Sequence, residues 1–158
     1  MIQEDKDLLL KDLSSRLPYG VKLGFYAEAT KQTYICTLLG LVPQEDEPVI
    51  AKTDNGSFYM LADNVKPYLF PLESMTEEQK RELLELTGYE PRCEESGGFD
   101  SWGFYVNIVG EYEYEDGKES IILYPDDIGI DWCNKNHFDY RGLIPKGIAL
   151  DATGLNIY

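Results

Sequence analysis

The sequence predicts an α+β fold: an N-terminal helix, then a small curled antiparallel β-barrel, with a second helix, a β-hairpin and a short third helix appended. Three observations carry that expectation. Leu10, Leu13 and Leu17, with Leu9 beside them, form an apolar stripe at helical period near the start. Four short apolar segments follow, separated by turn-forming residues that include Asp54-Asn55-Gly56. Beyond residue 73 the pattern returns to helix, with capping residues before it and glycine after it.

In chain order, residues 4–17 read as the first helix. Asp5 and Asp7 lie near its start, where acidic groups complement the helix dipole. Pro18 and Gly20 end it. Strands are expected at 21–26, 34–42, 48–51 and 57–61. Asn55-Gly56 supplies the positive φ values that a tight hairpin needs. A helix followed by short, strongly turned strands is the element order of SH3-like and Sm-like barrels. That likeness is topological, and function does not travel with it. Residues 65–72, with Pro67 and Pro71, read as a connector that packs down, because proline fits poorly in a central strand. The second helix is expected at 76–87. Ser74 and Thr76 are both followed by Glu or Gln at capping-box spacing, and Leu83, Leu84 and Leu86 are its inward candidates. Residues 89–101 read as a loop and 102–124 as a hairpin. Asp126 or Asp127 caps a third helix reaching about Asn136, and a short strand is expected at 148–150. Residues 1–72 thus form a helix-plus-barrel unit, and residues 73–158 an acidic α+β lobe packed on it.

Composition narrows the functional classes. The chain has 158 residues, enough for a core without a disulfide or metal staple. Its formal net charge is −15. Residues 1–72 carry 10 acidic and 7 basic side chains, and residues 73–158 carry 19 and 7. Such a surface repels phosphate backbones, so direct binding of DNA or RNA is not expected; basic partners are favoured. Cys36, Cys93 and Cys133 are odd in number and widely spaced, with no CxxC pair, which points to reduced thiols and no bound metal or other cofactor. The acidic start lacks the pattern of a signal peptide, and no apolar run approaches a membrane span. A cytoplasmic protein without membrane contact is the expectation.

Three stretches carry a family resemblance. They are Leu17-Pro18-Tyr19-Gly20-Val21, then Val65-Lys66-Pro67-Tyr68-Leu69 leading into Ser74-Met75-Thr76-Glu77-Glu78, and Asn136-His137-Phe138-Asp139-Tyr140-Arg141-Gly142-Leu143-Ile144. Together they resemble a family of uncharacterised proteins of gut Bacteroidales genomes, their phages and mobile elements. The resemblance covers both ends and the middle of the chain and leaves out residues 89–124, which read as an insertion. It implies a bacterial or phage cytoplasm and supplies no catalytic residues.

The candidate chemistry is sparse. Cys133 and His137 stand four apart and would share a face of the third helix, as two metal ligands or as a nucleophile and its base. A packed thiol and a hydrogen-bonded structural imidazole are the simpler alternatives. Asp139, Tyr140 and Arg141 would complete a small binding site or tie the tail to the body. Asp126, Asp127 and Asp131 lack the spacing of a calcium loop and are explained by helix capping. Glu111-Tyr112-Glu113-Tyr114-Glu115 alternates strictly, so a strand would present a row of glutamates on one face. That row is either an ordinary solvent face or an imitation of phosphates. Walker A, GxGxxG, GxSxG and HExxH signatures are absent. The sequence therefore favours a non-enzymatic accessory protein that binds another protein. An acidic nucleic-acid mimic and a small enzyme built on Cys133 and His137 are the alternatives.

Overall fold

The structure is a computed structural model, and it describes residues 1–42, 48–53, 56–87, 91–92, 105–106 and 127–158. It is a mixed α+β fold. Helix α1 spans Gln3–Arg16. Strands β1 (Lys22–Ala27), β2 (Gln32–Leu41), β3 (Pro48–Thr53), β4 (Gly56–Leu61) and β5 (Val65–Leu69) follow. Helix α2 is Glu77–Thr87, two-residue strands β6 (Pro91–Arg92) and β7 (Tyr105–Val106) pair with each other, α3 is Asp127–Lys135, and β8 is Leu150–Asp151. The main sheet runs β4-β3-β2-β1-β5-β8, antiparallel except for the β5–β8 pair.

The sheet is open and curled. No ladder joins β4 to β5 among the described residues. Yet only a three-residue 3-10 turn, Ala62–Asn64, connects them. In a flat sheet those strands would lie roughly 19 Å apart, at about 4.8 Å per spacing, and three 3-10 residues rise only about 6 Å. The sheet must bend to bring these ends together. A register shift between Leu38 and Gly40 on β2 marks one place where it does.

The core follows from the two periodicities. Leu9 and Leu13 on α1 are fully buried, and Leu10 and Leu17 pack at the margin. They meet alternate residues of the strands: Leu23 on β1, Cys36 and Leu38 on β2, Ala51 on β3, Met60 on β4, Val65 and Leu69 on β5. Leu143, Ile148 and Ala149 join the same core from the far end of the chain. A second cluster gathers Leu72, Met75, Leu83, Trp132, Cys133, Phe138 and Tyr140, where α2 and α3 pack.

Three local expectations are corrected. Residues 65–69 are a strand rather than a connector. Pro67 is accommodated because β8 joins β5 only at Tyr68 and Leu69, so at Pro67 the strand has a paired neighbour on the β1 side alone. Of the three α2 leucines Leu83 is buried, while Leu84 and Leu86 are 40% and 49% exposed; the three spread over roughly 160° of the helix, and the face packed against α3 takes only Leu83. Residues 91–92, read as loop, form the β6 ladder. The start of α2 also becomes definite. Thr76 Oγ1 accepts from the Gln79 backbone N–H at 3.2 Å, and Gln79 Oε1 accepts from the Thr76 N–H at 2.9 Å. That is the reciprocal capping box. Ser74 instead donates to the Pro71 carbonyl at 2.7 Å, closing the 3-10 turn before the helix.

Candidate functional site

The end of α3 organises the polar cluster. The Phe138 N–H donates to the Cys133 carbonyl at 2.9 Å, and the His137 N–H to that of Asn134 at 3.3 Å. His137 holds φ at +59°. This is a Schellman closure, with histidine at the left-handed position that glycine usually fills. The helix therefore stops two residues before His137, and Cys133 and His137 do not form a pair on one helical face. The imidazole instead stacks on the Tyr158 ring, centroids 3.9 Å apart at 16°. The Tyr158 hydroxyl donates to the Tyr68 carbonyl at 2.6 Å and accepts the Lys22 N–H at 3.1 Å, which ties the tail to β5 and β1. Asp131 accepts from the Tyr19 hydroxyl, a bond between α3 and the turn after α1.

The segment after His137 is pinned on both sides. Phe70 N–H donates to the His137 carbonyl at 2.9 Å, and Asp139 N–H donates to the Phe70 carbonyl at 2.8 Å. The Asp139 carboxylate accepts from the backbone N–H groups of Leu143 at 2.8 Å and Ile144 at 2.7 Å. Burial raises the pKa of this carboxyl; the two N–H donors only partly offset that, and nearby Asp12 adds to it.

Two residues that the sequence did not single out stand at the centre. Asp12 and Arg16 on α1 are both 0% exposed and form a forked pair, Nε to Oδ2 at 2.7 Å and Nη2 to Oδ1 at 3.1 Å. Arg16 also donates to the Phe138 carbonyl at 2.7 Å and to the Cys133 carbonyl at 3.3 Å. It thus adds a side-chain cap to the end of α3. Burial opposes its charge, but Asp12 more than compensates, and the guanidinium pKa is raised. Arg141 places Nε 3.4 Å from Asp12 and donates from Nη2 to Ser15 Oγ at 3.3 Å. Tyr140 packs against both guanidiniums, with ring-centroid distances of 5.5 Å to Arg16 and 4.7 Å to Arg141. The cluster holds two carboxyl groups and two guanidiniums, and each carboxylate has directed donors.

This arrangement holds the chain ends together and encloses both groups of the candidate pair. The Cys133 thiol is buried and its pKa is pushed up to about 12 by burial, which Arg16 only partly offsets. A cysteine nucleophile or metal ligand works as thiolate. His137 is pushed down to about 4, by burial first and then by Arg16 and Lys22. A cavity of about 210 Å³ touches the cluster at Asp139 and is lined further by Pro71, Leu72, Glu73, Ile144 and Asp151; both Asp139 oxygens are already committed. Among the described residues no three His, Cys, Asp or Glu side chains converge to hold a metal ion. No described helix is long and apolar enough to cross a membrane. Cys93, Asp126 and Glu111 through Glu115, with Tyr112 and Tyr114 between them, lie outside the described residues; of the hairpin expected at 102–124 only residues 105–106 are described, and they pair with residues 91–92. Comparison with protein-family models, curated proteins and solved structures returns no match to this chain.

His137 provides a direct solution test. As the only histidine, its imidazole resonances need no assignment. A titration midpoint near 4 is expected, against an ordinary value of 6.5. The unfolded chain then binds a proton that the folded chain refuses. This contribution to stability is complete above about pH 6.5 and is lost as the pH falls through 4. Asp139, with its raised pKa, acts in the opposite sense. His137→Asn keeps a residue tolerant of the left-handed conformation and should remove the His137 part of the slope in urea denaturation between those pH values.

Proposed function

We propose that this protein is a non-enzymatic accessory protein of a bacterial or phage cytoplasm that acts by binding another protein, a basic one. The observation that carries this reading is the burial of the polar constellation. Cys133, His137, Asp139 and Tyr140 are each under a tenth exposed and committed to packing or to joining the two ends of the chain. Activity is therefore sought on the surface, and that surface belongs to a molecule with a net charge of −15. It also presents Tyr26, Tyr34 and Tyr59, and tyrosine is favoured at protein interfaces. The barrel reading supports a compact binding module. The order β4-β3-β2-β1-β5, with a 3-10 turn between β4 and β5, is compatible with an SH3-like or Sm-like barrel. The family resemblance supports the bacterial or phage setting.

Affinity capture with the full chain as bait tests the reading. A stoichiometric basic partner is expected, released as salt rises because exposed charges are screened over about 8 Å at physiological ionic strength. Fluorescence anisotropy with single- and double-stranded oligonucleotides at about 0.15 M salt should show no saturable binding. Tight oligonucleotide binding, or turnover that depends on Cys133, would contradict it.

A further inference from the structure

The outer face of the sheet carries a second feature, beside the tail that Tyr158 ties to β1. Lys22 on β1 is registered with Thr37 on β2, and Thr37 with Lys52 on β3. Directly paired residues project to the same side, so these three form one row across the strands. Their chain neighbours Leu23, Cys36, Leu38 and Ala51 belong to the core, which puts the row on the opposite face. The row opens onto a groove of about 750 Å³ whose aliphatic wall is Ile35, Leu39 and Ile157. Ile35 and Leu39 are nearly half exposed, at 45% and 47%. Among the described residues no acidic side chain lines this groove, on a chain with 29 acidic residues. Lys22 Nζ donates to Thr37 Oγ1 at 2.9 Å, and among the described residues neither lysine reaches a carboxylate.

We propose that this groove binds an aliphatic monocarboxylate, a molecule with one anionic head and an alkyl tail. The head lies over Thr37 between the two ammonium groups, and the tail lies along Ile35, Leu39 and Ile157. Three facts select this chemistry. Lys22 and Lys52 are separated by two strand spacings, about 10 Å between backbones, so their long stems reach a single anion between them. The aliphatic wall rewards an alkyl body by burial. The net charge of −15 opposes a polyanion at every one of its charges. A monoanion meets that repulsion once and gains both lysines at contact. An acidic peptide or a nucleic acid is disfavoured on the same ground. The volume lies within the usual range of small-molecule sites, roughly 300–1,000 Å³.

Titration of the full-length protein with decanoate below its micellar concentration, followed by calorimetry and by backbone amide shifts, tests the assignment. One saturable site is expected, with shifts centred on residues 35–39 and 52–53. Decanol, lacking the charge, and acetate, lacking the tail, are expected to bind at least about tenfold more weakly. Lys52→Gln and Leu39→Ser should each weaken decanoate binding about tenfold or more without lowering the melting temperature, and Lys52→Arg should retain it. No saturable decanoate binding, unchanged affinity in Lys52→Gln, or equal affinity for decanol would overturn the proposal. So would tighter binding of an acidic aliphatic peptide, which would make the groove a peptide site.

Discussion

Replacing Arg16 with methionine is expected to destabilise the fold by about 3–5 kcal/mol, the usual result of breaking a buried ion pair from one side. The loss has three sources in this molecule. Asp12 stays fully buried, with only the 3.4 Å approach of Arg141 Nε to offset its charge. The Cys133 and Phe138 carbonyls lose their side-chain donor. Tyr140 loses the guanidinium packed 5.5 Å from its ring centre. Removing both charges, in Asp12→Leu with Arg16→Met, should recover a large part of the loss, because two uncharged side chains need no partners in an apolar site. Urea denaturation of the wild type, both single variants and the double variant measures the coupling. If Arg16→Met alone costs less than about 1 kcal/mol, the pair does not join α1 to the end of α3 as described.

Leu13→Ala is expected to cost about 2–5 kcal/mol and to lower the melting temperature by roughly 5–15 °C. Leu13 is fully buried in the cluster that α1 shares with the sheet, so its truncation leaves a cavity that the surroundings close only in part. Leu84→Ala on α2 is the matched control. The same atoms are deleted from a side chain that is 40% exposed, and a change within about 0.5 kcal/mol is expected. Similar losses at both positions would mean that α1 is not the helix that closes the core.

The contrast between those leucines also marks how much of the fold is legible in the sequence. The α1 stripe and the strands that follow are local patterns, and their outcome is local too: Leu13 is buried and β1 through β4 pair in sequence. The hairpin expected between β3 and β4 is present, with Thr53 registered against Gly56, while Asp54 and Asn55 lie outside the described residues. What failed depended on distant partners. Pro67 argues against a strand until β8 is known to stop at Tyr68, and β8 arrives from residue 150. Leu83, Leu84 and Leu86 are equivalent in sequence; only the position of α3 separates them. Cys133 and His137 have helical spacing, but the helix ends between them, and a left-handed histidine is not a common stop signal. The Asp12–Arg16 pair was partly readable. Its i, i+4 spacing is that of a surface ion pair, yet Leu9, Leu13 and Arg16 fall at i, i+4 and i+7, which places Arg16 on the buried stripe. That it reaches the end of α3, more than a hundred residues away, is a fact of tertiary structure alone.

We propose that the constellation around Cys133 and His137 joins the chain ends without performing chemistry. The rate of alkylation of Cys133 in the native protein tests this most directly. Iodoacetamide at about pH 8, with peptide-level mass spectrometry to separate Cys133 from Cys36 and Cys93, gives the rate for that thiol alone. A pKa near 12 in place of the ordinary 9 leaves roughly a thousandth of the usual thiolate, and the sulfur is almost fully enclosed. The expected result is labelling at least about a thousandfold slower than a free thiol, accelerating only as urea unfolds the chain. Labelling of Cys133 at or above the rate of a free thiol, in protein that remains folded, would contradict the account and return Cys133 and His137 to the role of a catalytic pair.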